Sequence, residues 1–339
     1  MKTWLPVLLM TLAATGCVDA FLGPAPATDH GALFDDVWQQ FDLHYSFFTY
    51  KNIDWDSLGA RYRPLAVAAA TDQAFADVLG QMVARLGDVH ASITPGSGAA
   101  TIGYVSPWDT IPAYFNPGIV FARYVQDGRL TAGRHIRYGM VAATVGYVRI
   151  ASFVGSGWAS EMDAALDSMP AARGLVIDVR NNRGGDVTLA VNIARRFADR
   201  ERTYAYVRLR NGPGHGDFTA DIPETVAPRG HRFDGRVYVL TNRRDFSAAE
   251  DFVLAMRTSG RVTVVGDTTA GASGGPIVRQ LPNGWTFELS EWLEYTPGHR
   301  LFEGIGLAPD VVVKATAGAE RDSVDLVVER ALSLAAGGP

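Results

Sequence analysis

Two stretches of this 339-residue chain constrain its fold most, because each reads as a buried strand, a tight turn and a helix. The first is Gly174–Asp186, GLVIDVRNNRGGD, and the second is Val237–Glu250, VYVLTNRRDFSAAE. A short unbroken apolar run lacks the alternation of a half-exposed strand and suits a strand covered on both faces, as in a parallel sheet. Val145–Ile150, Tyr204–Leu209 and Val262–Val265 read as further strands, and Gly157–Ser168, Val187–Phe197 and Ser247–Thr258 as helices. Strand, helix, strand repetition predicts an α/β fold with a partly parallel sheet. Trp285–Tyr295 reads as later antiparallel strands.

Upstream the period changes. Leu33, Val37, Trp38 and Phe41 recur at helical spacing, and so do Phe75, Val78, Leu79, Met82 and Val83. Thr71 or Asp72 suits the N-cap of the second run, and Pro64 marks a break between the two. Ile111–Phe115 and Ile119–Tyr124 read as strands joined by a turn at Asn116-Pro117-Gly118. The expected organisation is a helical N-terminal subdomain over 32–95, a small β-rich connecting segment over 96–145 and a core over 146–335.

The first residues carry an export pattern. Lys2, an apolar run from Leu5 to Ala14 and small residues predict a signal over 1–16, too short to span a bilayer, which takes about 20 residues. Ala14-Thr15-Gly16-Cys17 resembles the bacterial lipobox, with Cys17 as the lipid-modified residue and 17–31 as a tether. A plain secretory signal with a chance cysteine is the alternative. Val18, not Asp, follows Cys17, which points to the outer membrane. A net charge of -5 argues against a nucleic-acid partner. One cysteine excludes a disulfide framework and a Cys-rich zinc site. No H-E-x-x-H or similar ligand spacing occurs, which disfavours a zinc enzyme, and no cofactor is expected.

Three places could carry chemistry. Ser247 stands at the mouth of a helix, where the Ala248 amide is free to bind an oxyanion. Ser247-x-x-Glu250 also fits a helix-capping box, so cap and nucleophile both stand; the G-x-S-x-G elbow is absent. The Gly184-Gly185 pair lets backbone amides approach a ligand, or makes an ordinary tight turn. His90, in Leu86-Gly87-Asp88-Val89-His90, follows a glycine turn and an aspartate; a lone histidine is more often structural or exposed, and this setting is all that sets His90 apart.

Taken in order, these segments resemble the S41 serine peptidases, the family of carboxyl-terminal processing proteases, tricorn protease and the interphotoreceptor retinoid-binding protein. The segments are LGDVH at 86–90, GYVRIASF at 146–153, GLVIDVRNNRGG at 174–185, VYVLTNRRDFSAAE at 237–250, VVGDTTAG at 264–271 and EGIGLAPDVVV at 303–313. FDDVWQQFDLHYSFF and IDWDSLGARYRP resemble the N-terminal helical region of tricorn-like members. The resemblance implies a crotonase-like (ClpP/crotonase) core under a helical cap. It implies Ser247 as nucleophile, with an oxyanion hole from Ala248 and a glycine of the Gly184/Gly185 pair.

Two departures matter. Processing proteases activate the serine with lysine in a T-x-G-K pattern; here Thr269-Ala270-Gly271-Ala272 puts Ala272 in the lysine's place, and Lys51 and Lys314 match no such position. The tricorn-like branch uses a histidine, matched by His90, assisted by a glutamate, matched by Glu303. Tricorn protease bridges the two with a serine just before the histidine; Val89 stands there instead. Glu303 then meets His90 directly, through water or not at all, and Asp88 or Ser92 could contribute. The interval from His90 to Gly146 is shorter than the roughly 80–100 residues a PDZ domain takes.

The implied activity is hydrolysis of peptide bonds in a peptide or protein substrate, by a lipoprotein of the cell envelope. The rival is an inactive lipoprotein that binds a hydrophobic ligand or peptide; a plain esterase is a further alternative. Arg183, Arg243 and Arg244 flank the site in sequence, either to attract a carboxylate or as solvated loop residues. Oligomeric state is not readable from the sequence.

Overall fold

The computed structural model describes residues 28–96 and 98–338. The predicted signal over 1–16, Cys17 and most of the 17–31 tether lie outside the described residues.

The N-terminal helices form as their caps dictate. Helix α1 (His30–His44) starts at Asp29, whose side chain accepts the Ala32 N–H, and buries Leu33, Phe34, Val37 and Phe41. A short turn of helix follows over Phe48–Lys51. Asp54 caps α2 (Trp55–Val67), and Thr71 caps α3 (Asp72–Ala84) by accepting the Ala74 N–H at 3.2 Å. Pro64 does not break the chain; it lies inside α2. The last turn survives the missing N–H because Ala66 is fully buried and the Ala68 N–H reaches the Pro64 carbonyl at 3.1 Å.

The strands, in chain order, are β1 (Ser92–Thr94), β2 (Ile102–Gly103), β3 (Gln126–Leu130), β4 (Ile136–Ala142), β5 (Val145–Ile150), β6 (Gly174–Asp178), β7 (Arg202–Leu209), β8 (Ile222–Val226), β9 (Arg236–Thr241), β10 (Val262–Gly266), β11 (Pro276–Gln280), β12 (Thr286–Ser290), β13 (Trp292–Tyr295) and β14 (Val311–Val312). The largest sheet runs β14-β10-β9-β6-β5-β4-β3. Its members from β5 through β6, β9 and β10 to β14 are parallel, and β3 and β4 add an antiparallel edge.

Every residue of β5 and β6 is buried, as the unbroken apolar runs require. Side chains alternate between two cores. Leu175, Ile177, Val237, Val239 and Val264 pack with α4 (Trp158–Asp167), α5 (Val187–Ala194) and α6 (Ala248–Arg257). Tyr147, Val176, Tyr238, Leu240 and Val265 pack with α7 (Leu326–Ala335) and with Phe115, Val120 and Phe121. The fold is therefore mixed α/β, with a sheet covered on both faces.

Residues 111–124 overturn the expectation of two strands and a turn. Asn116 instead caps a helix over Pro117–Arg123, its side chain accepting the Gly118 N–H at 2.8 Å. An Asn cap with proline at the first helical position outweighs the strand preference of Ile119 and Val120. Residues 111–115 have no regular structure. The helical region is also not self-contained. β1 and β2 pair in a sheet ordered β11-β12-β1-β2, and Trp285, Phe287 and Leu289 share a core with Phe41 and Phe75.

Registers place the site. Asp178 in β6 lies beside Leu240 in β9, and Leu240 beside Val265 in β10. Three consecutive parallel strands thus end at one level, and the loops 179–186, 242–247 and 267–275 leave the sheet together. This is the carboxyl edge of parallel strands, where open α/β sheets bind ligands.

Candidate active site

Ser247 joins β9 to α6 with φ 54° and ψ -129°, a conformation a non-glycine residue adopts only under constraint, at about 1–3 kcal/mol. The constraint is visible. Its N–H donates to the Ala272 carbonyl at 3.1 Å, and its own carbonyl accepts the Glu250 N–H at 2.6 Å. The serine side chain makes no capping hydrogen bond. Glu250 does not close a capping box either. Its buried carboxyl accepts from Thr269 Oγ1 at 2.5 Å, the Gly271 N–H at 2.9 Å and the Ala272 N–H at 2.7 Å. Burial pushes this carboxyl up to about 7. Glu250 therefore shapes the loop that holds the Ser247 backbone.

Two motifs are sewn together beside it. Asn242 Oδ1 accepts the Asn181 N–H at 3.0 Å, and Asn242 Nδ2 donates to Asn181 Oδ1 at 2.8 Å. Asp245 accepts the Asn242 N–H at 2.9 Å, and the Phe246 N–H donates to the Asn182 carbonyl at 3.0 Å. Burial holds the Asp245 carboxyl well above the usual range. These residues lie within the two motifs, but no local sequence pattern tells their task.

Gly184 has φ 86°, and a Cβ there would lie 2.8 Å from the Phe246 carbonyl and 2.9 Å from Ser247 Cβ. Only glycine lets this turn touch the serine. Its N–H donates to Asn182 Oδ1 at 2.8 Å. The N–H groups of Gly185 and Ala248 have no partner among the described residues.

His90 follows a turn fixed by Asp88, which accepts the His90 N–H at 2.8 Å and the Ser290 hydroxyl at 2.8 Å. His90 Nδ1 lies 3.1 Å from the Ser273 carbonyl. A carbonyl only accepts, so Nδ1 carries a proton, and in the neutral ring the lone pair is then at Nε2. His90 and Ser247 are thus anchored on neighbouring carbonyls of one loop, Ser273 and Ala272.

Glu303 comes to the same loop. Its Oε2 accepts the Ser273 N–H at 2.9 Å and the Ser273 hydroxyl at 3.2 Å, and its Oε1 pairs with Lys51 Nζ at 2.8 Å. It makes no hydrogen bond to His90 among the described residues. Burial, reinforced by nearby Asp88 and opposed by Lys51, pushes its carboxyl up to about 8. Val89 packs against Phe246, Ala270 and Ala272, and Ser92 lies in β1 opposite Glu288. Ser273 escaped the sequence reasoning, and Lys51 was weighed only as a base for the serine; no spacing rule links either to His90.

The arginines are engaged. Arg244 donates to the carbonyls of Trp108 at 2.9 Å and Ile111 at 2.9 Å, Arg183 pairs with Asp109 at 2.5 Å, and Arg243 lies 4.4 Å over the Trp108 ring. They strap residues 106–111 beside the site. A cleft of about 170 Å³ remains there, lined among others by Val89, Trp108, Phe246, Ala270 and Ala272. No group of three or more His, Cys, Asp or Glu among the described residues could hold a metal ion.

The model of peptidase family S41 matches residues 144–313, and that of the tricorn protease C1 domain matches 26–84. The chain belongs to peptidase family S41. A Parabacteroides merdae protein of solved structure, described as a candidate peptidase, is 31% identical with a TM-score of 0.81, over 91% of this chain and 97% of its own. A carboxyl-terminal-processing protease of Picosynechococcus sp. is 30% identical over 50% of this chain and 39% of its own length. The carboxy-terminal processing protease CtpB of Bacillus subtilis is 28% identical over 50% of this chain and 34% of its own length. The chain therefore spans about two-fifths or less of these curated relatives.

Proposed function

We propose that the protein is a serine-type peptidase of the S41 family in which Ser247 is the nucleophile and His90 the base. The observation that carries the reading is the shared template: Ser247 N–H on the Ala272 carbonyl and His90 Nδ1 on that of Ser273, which in the neutral ring leaves the lone pair at Nε2. Ser247 loses its proton to Nε2 as Oγ attacks the peptide carbonyl. The amides of Ala248 and Gly185 receive the oxyanion, and Gly184 supplies the close approach. His90 then protonates the leaving amine, and water completes hydrolysis. One oxyanion donor is worth about 2.7–4 kcal/mol, which is why this turn is braced by so many hydrogen bonds.

The core is read as crotonase-like, supported by its central parallel strands and crossover helices. The cell-envelope location is part of the same proposal and rests on residues 1–17; labelling by radioactive palmitate, lost in Cys17→Ala, tests it. Cleavage of a peptide library, read by mass spectrometry, tests the activity. Cleavage that disappears in Ser247→Ala is expected. A pure folded wild type that cuts no peptide but hydrolyses esters would make it an esterase, and one that does neither would favour the ligand-binding alternative.

A further inference from the structure

Glu303 has a cation beside it that the family resemblance does not assign. Lys51 ends the short turn over Phe48–Lys51, and its Nζ donates to Glu303 Oε1 at 2.8 Å and to the Gly87 carbonyl at 2.9 Å. It also lies 5.4 Å from the Phe47 ring centroid. Two arms run from this ammonium to His90. One passes through Gly87, three residues before the histidine. The other passes through Glu303 to the N–H and hydroxyl of Ser273, whose carbonyl receives Nδ1–H of the imidazole. We propose that Lys51, Glu303 and Ser273 form a positioning relay that holds His90 in the tautomer and orientation a general base needs.

The inference rests on the peptidase reading above and deepens it. Stability alone does not call for this arrangement. A buried ion pair replaced by well-packed apolar groups is often no less stable, so the charges are not needed for packing. What they do is local. Glu303 is 3% exposed, and the other titratable groups that interact with it are Asp88, Tyr45 and Tyr50, while His90 interacts with Glu288. Lys51 is the basic side chain paired with Glu303. Lys51 opposes the burial and the Asp88 charge that raise this carboxyl, so without it the carboxyl keeps its proton to still higher pH, loses the Nζ–Oε1 contact that orients it toward Ser273, and leaves the acceptor of Nδ1–H free to drift. The position before the histidine holds Val89, which has no polar group to bridge with; Ser273 supplies that bridge from the opposite loop.

The test compares Lys51→Met, Lys51→Arg and Ser273→Ala in the full chain. Kinetics on a cleaved peptide are read against pH, and the His90 ring nitrogens by ¹⁵N NMR. A general base contributes about 10²–10⁴-fold, so a loosened one should lose roughly 10–100-fold in kcat. Lys51→Met is expected to lose that much with KM within about twofold, to move the acid limb of kcat to higher pH, and to weaken the Nδ1–H signature. Lys51→Arg should restore most of it, and Ser273→Ala, which keeps the carbonyl, should lose less. A folded Lys51→Met with wild-type kcat, pH profile and ring signals overturns the relay. If Lys51→Met does not fold, Glu303→Gln carries the same reading, and wild-type activity there overturns it equally. A wild type that cleaves nothing fails the peptidase reading instead, while the ring signals still report on the relay.

Discussion

At the scale of single residues, the account turns on backbone positions that admit one side chain. Gly184 has φ 86° and meets the Ser247–Ala248 peptide, so Gly184→Ala adds both strain and a clash. It should cost more than about 1 kcal/mol of stability and reduce kcat far more than KM, measurable by urea unfolding and steady-state kinetics. Unchanged kcat would contradict the contact. Glycines and motif serines of this kind were legible in the sequence, because a strand-turn-helix pattern advertises them. Ser273 was not. Its task comes from a carbonyl and an N–H that only the folded loop aims at His90 and Glu303. Glu250 misled for a related reason: a capping box and a loop brace use the same residue, and the buried amides of Gly271 and Ala272 outbid the helix terminus.

At the scale of elements, residues 106–111 behave as a strap whose fastenings are unequal. The Arg183–Asp109 pair is exposed on the arginine side and worth at most about 1 kcal/mol. Arg244, part-buried on three backbone carbonyls, cannot be replaced by water so easily. Arg244→Ala should speed amide exchange across 106–111 and change KM, whereas Asp109→Ala should change either little. The reverse order would contradict the assignment. This region was the least legible part of the chain. Ile111–Phe115 and Ile119–Tyr124 carry strand-like residues, yet Asn116-Pro117 starts a helix and Arg244 fixes the rest from far along the sequence. Thr71, by contrast, caps α3 as its local pattern announced.

At the scale of the whole molecule, the cap and core meet through charge as well as packing. The strands buried on both faces were readable one by one, but their order in the sheet was not, and the pairing of β1 with β12 joins residues too distant for any local signal. The buried carboxyls also set a pH dependence. Burial raises Glu303 to about 8, Glu250 to about 7 and Asp251 to about 6, from ordinary values of 4.5, 4.5 and 3.8. A group whose folded value is raised binds its proton more tightly when native, so stability falls as pH climbs between the two values. Asp178, Asp163 and Glu161 are lowered, and their contribution is lost as pH falls below the ordinary range. The melting temperature should therefore be higher near pH 5 than near pH 8. A melting temperature that rises across that interval would contradict these directions.

The central claim is that His90 draws the proton from Ser247. The rate of covalent labelling by a fluorophosphonate, followed by intact-mass spectrometry, measures it most directly. The account predicts one adduct on Ser247 in the wild type, none in Ser247→Ala, and labelling slowed by about 10²-fold or more in a folded His90→Ala. Labelling of His90→Ala at the wild-type rate, or an adduct on another residue, would contradict it.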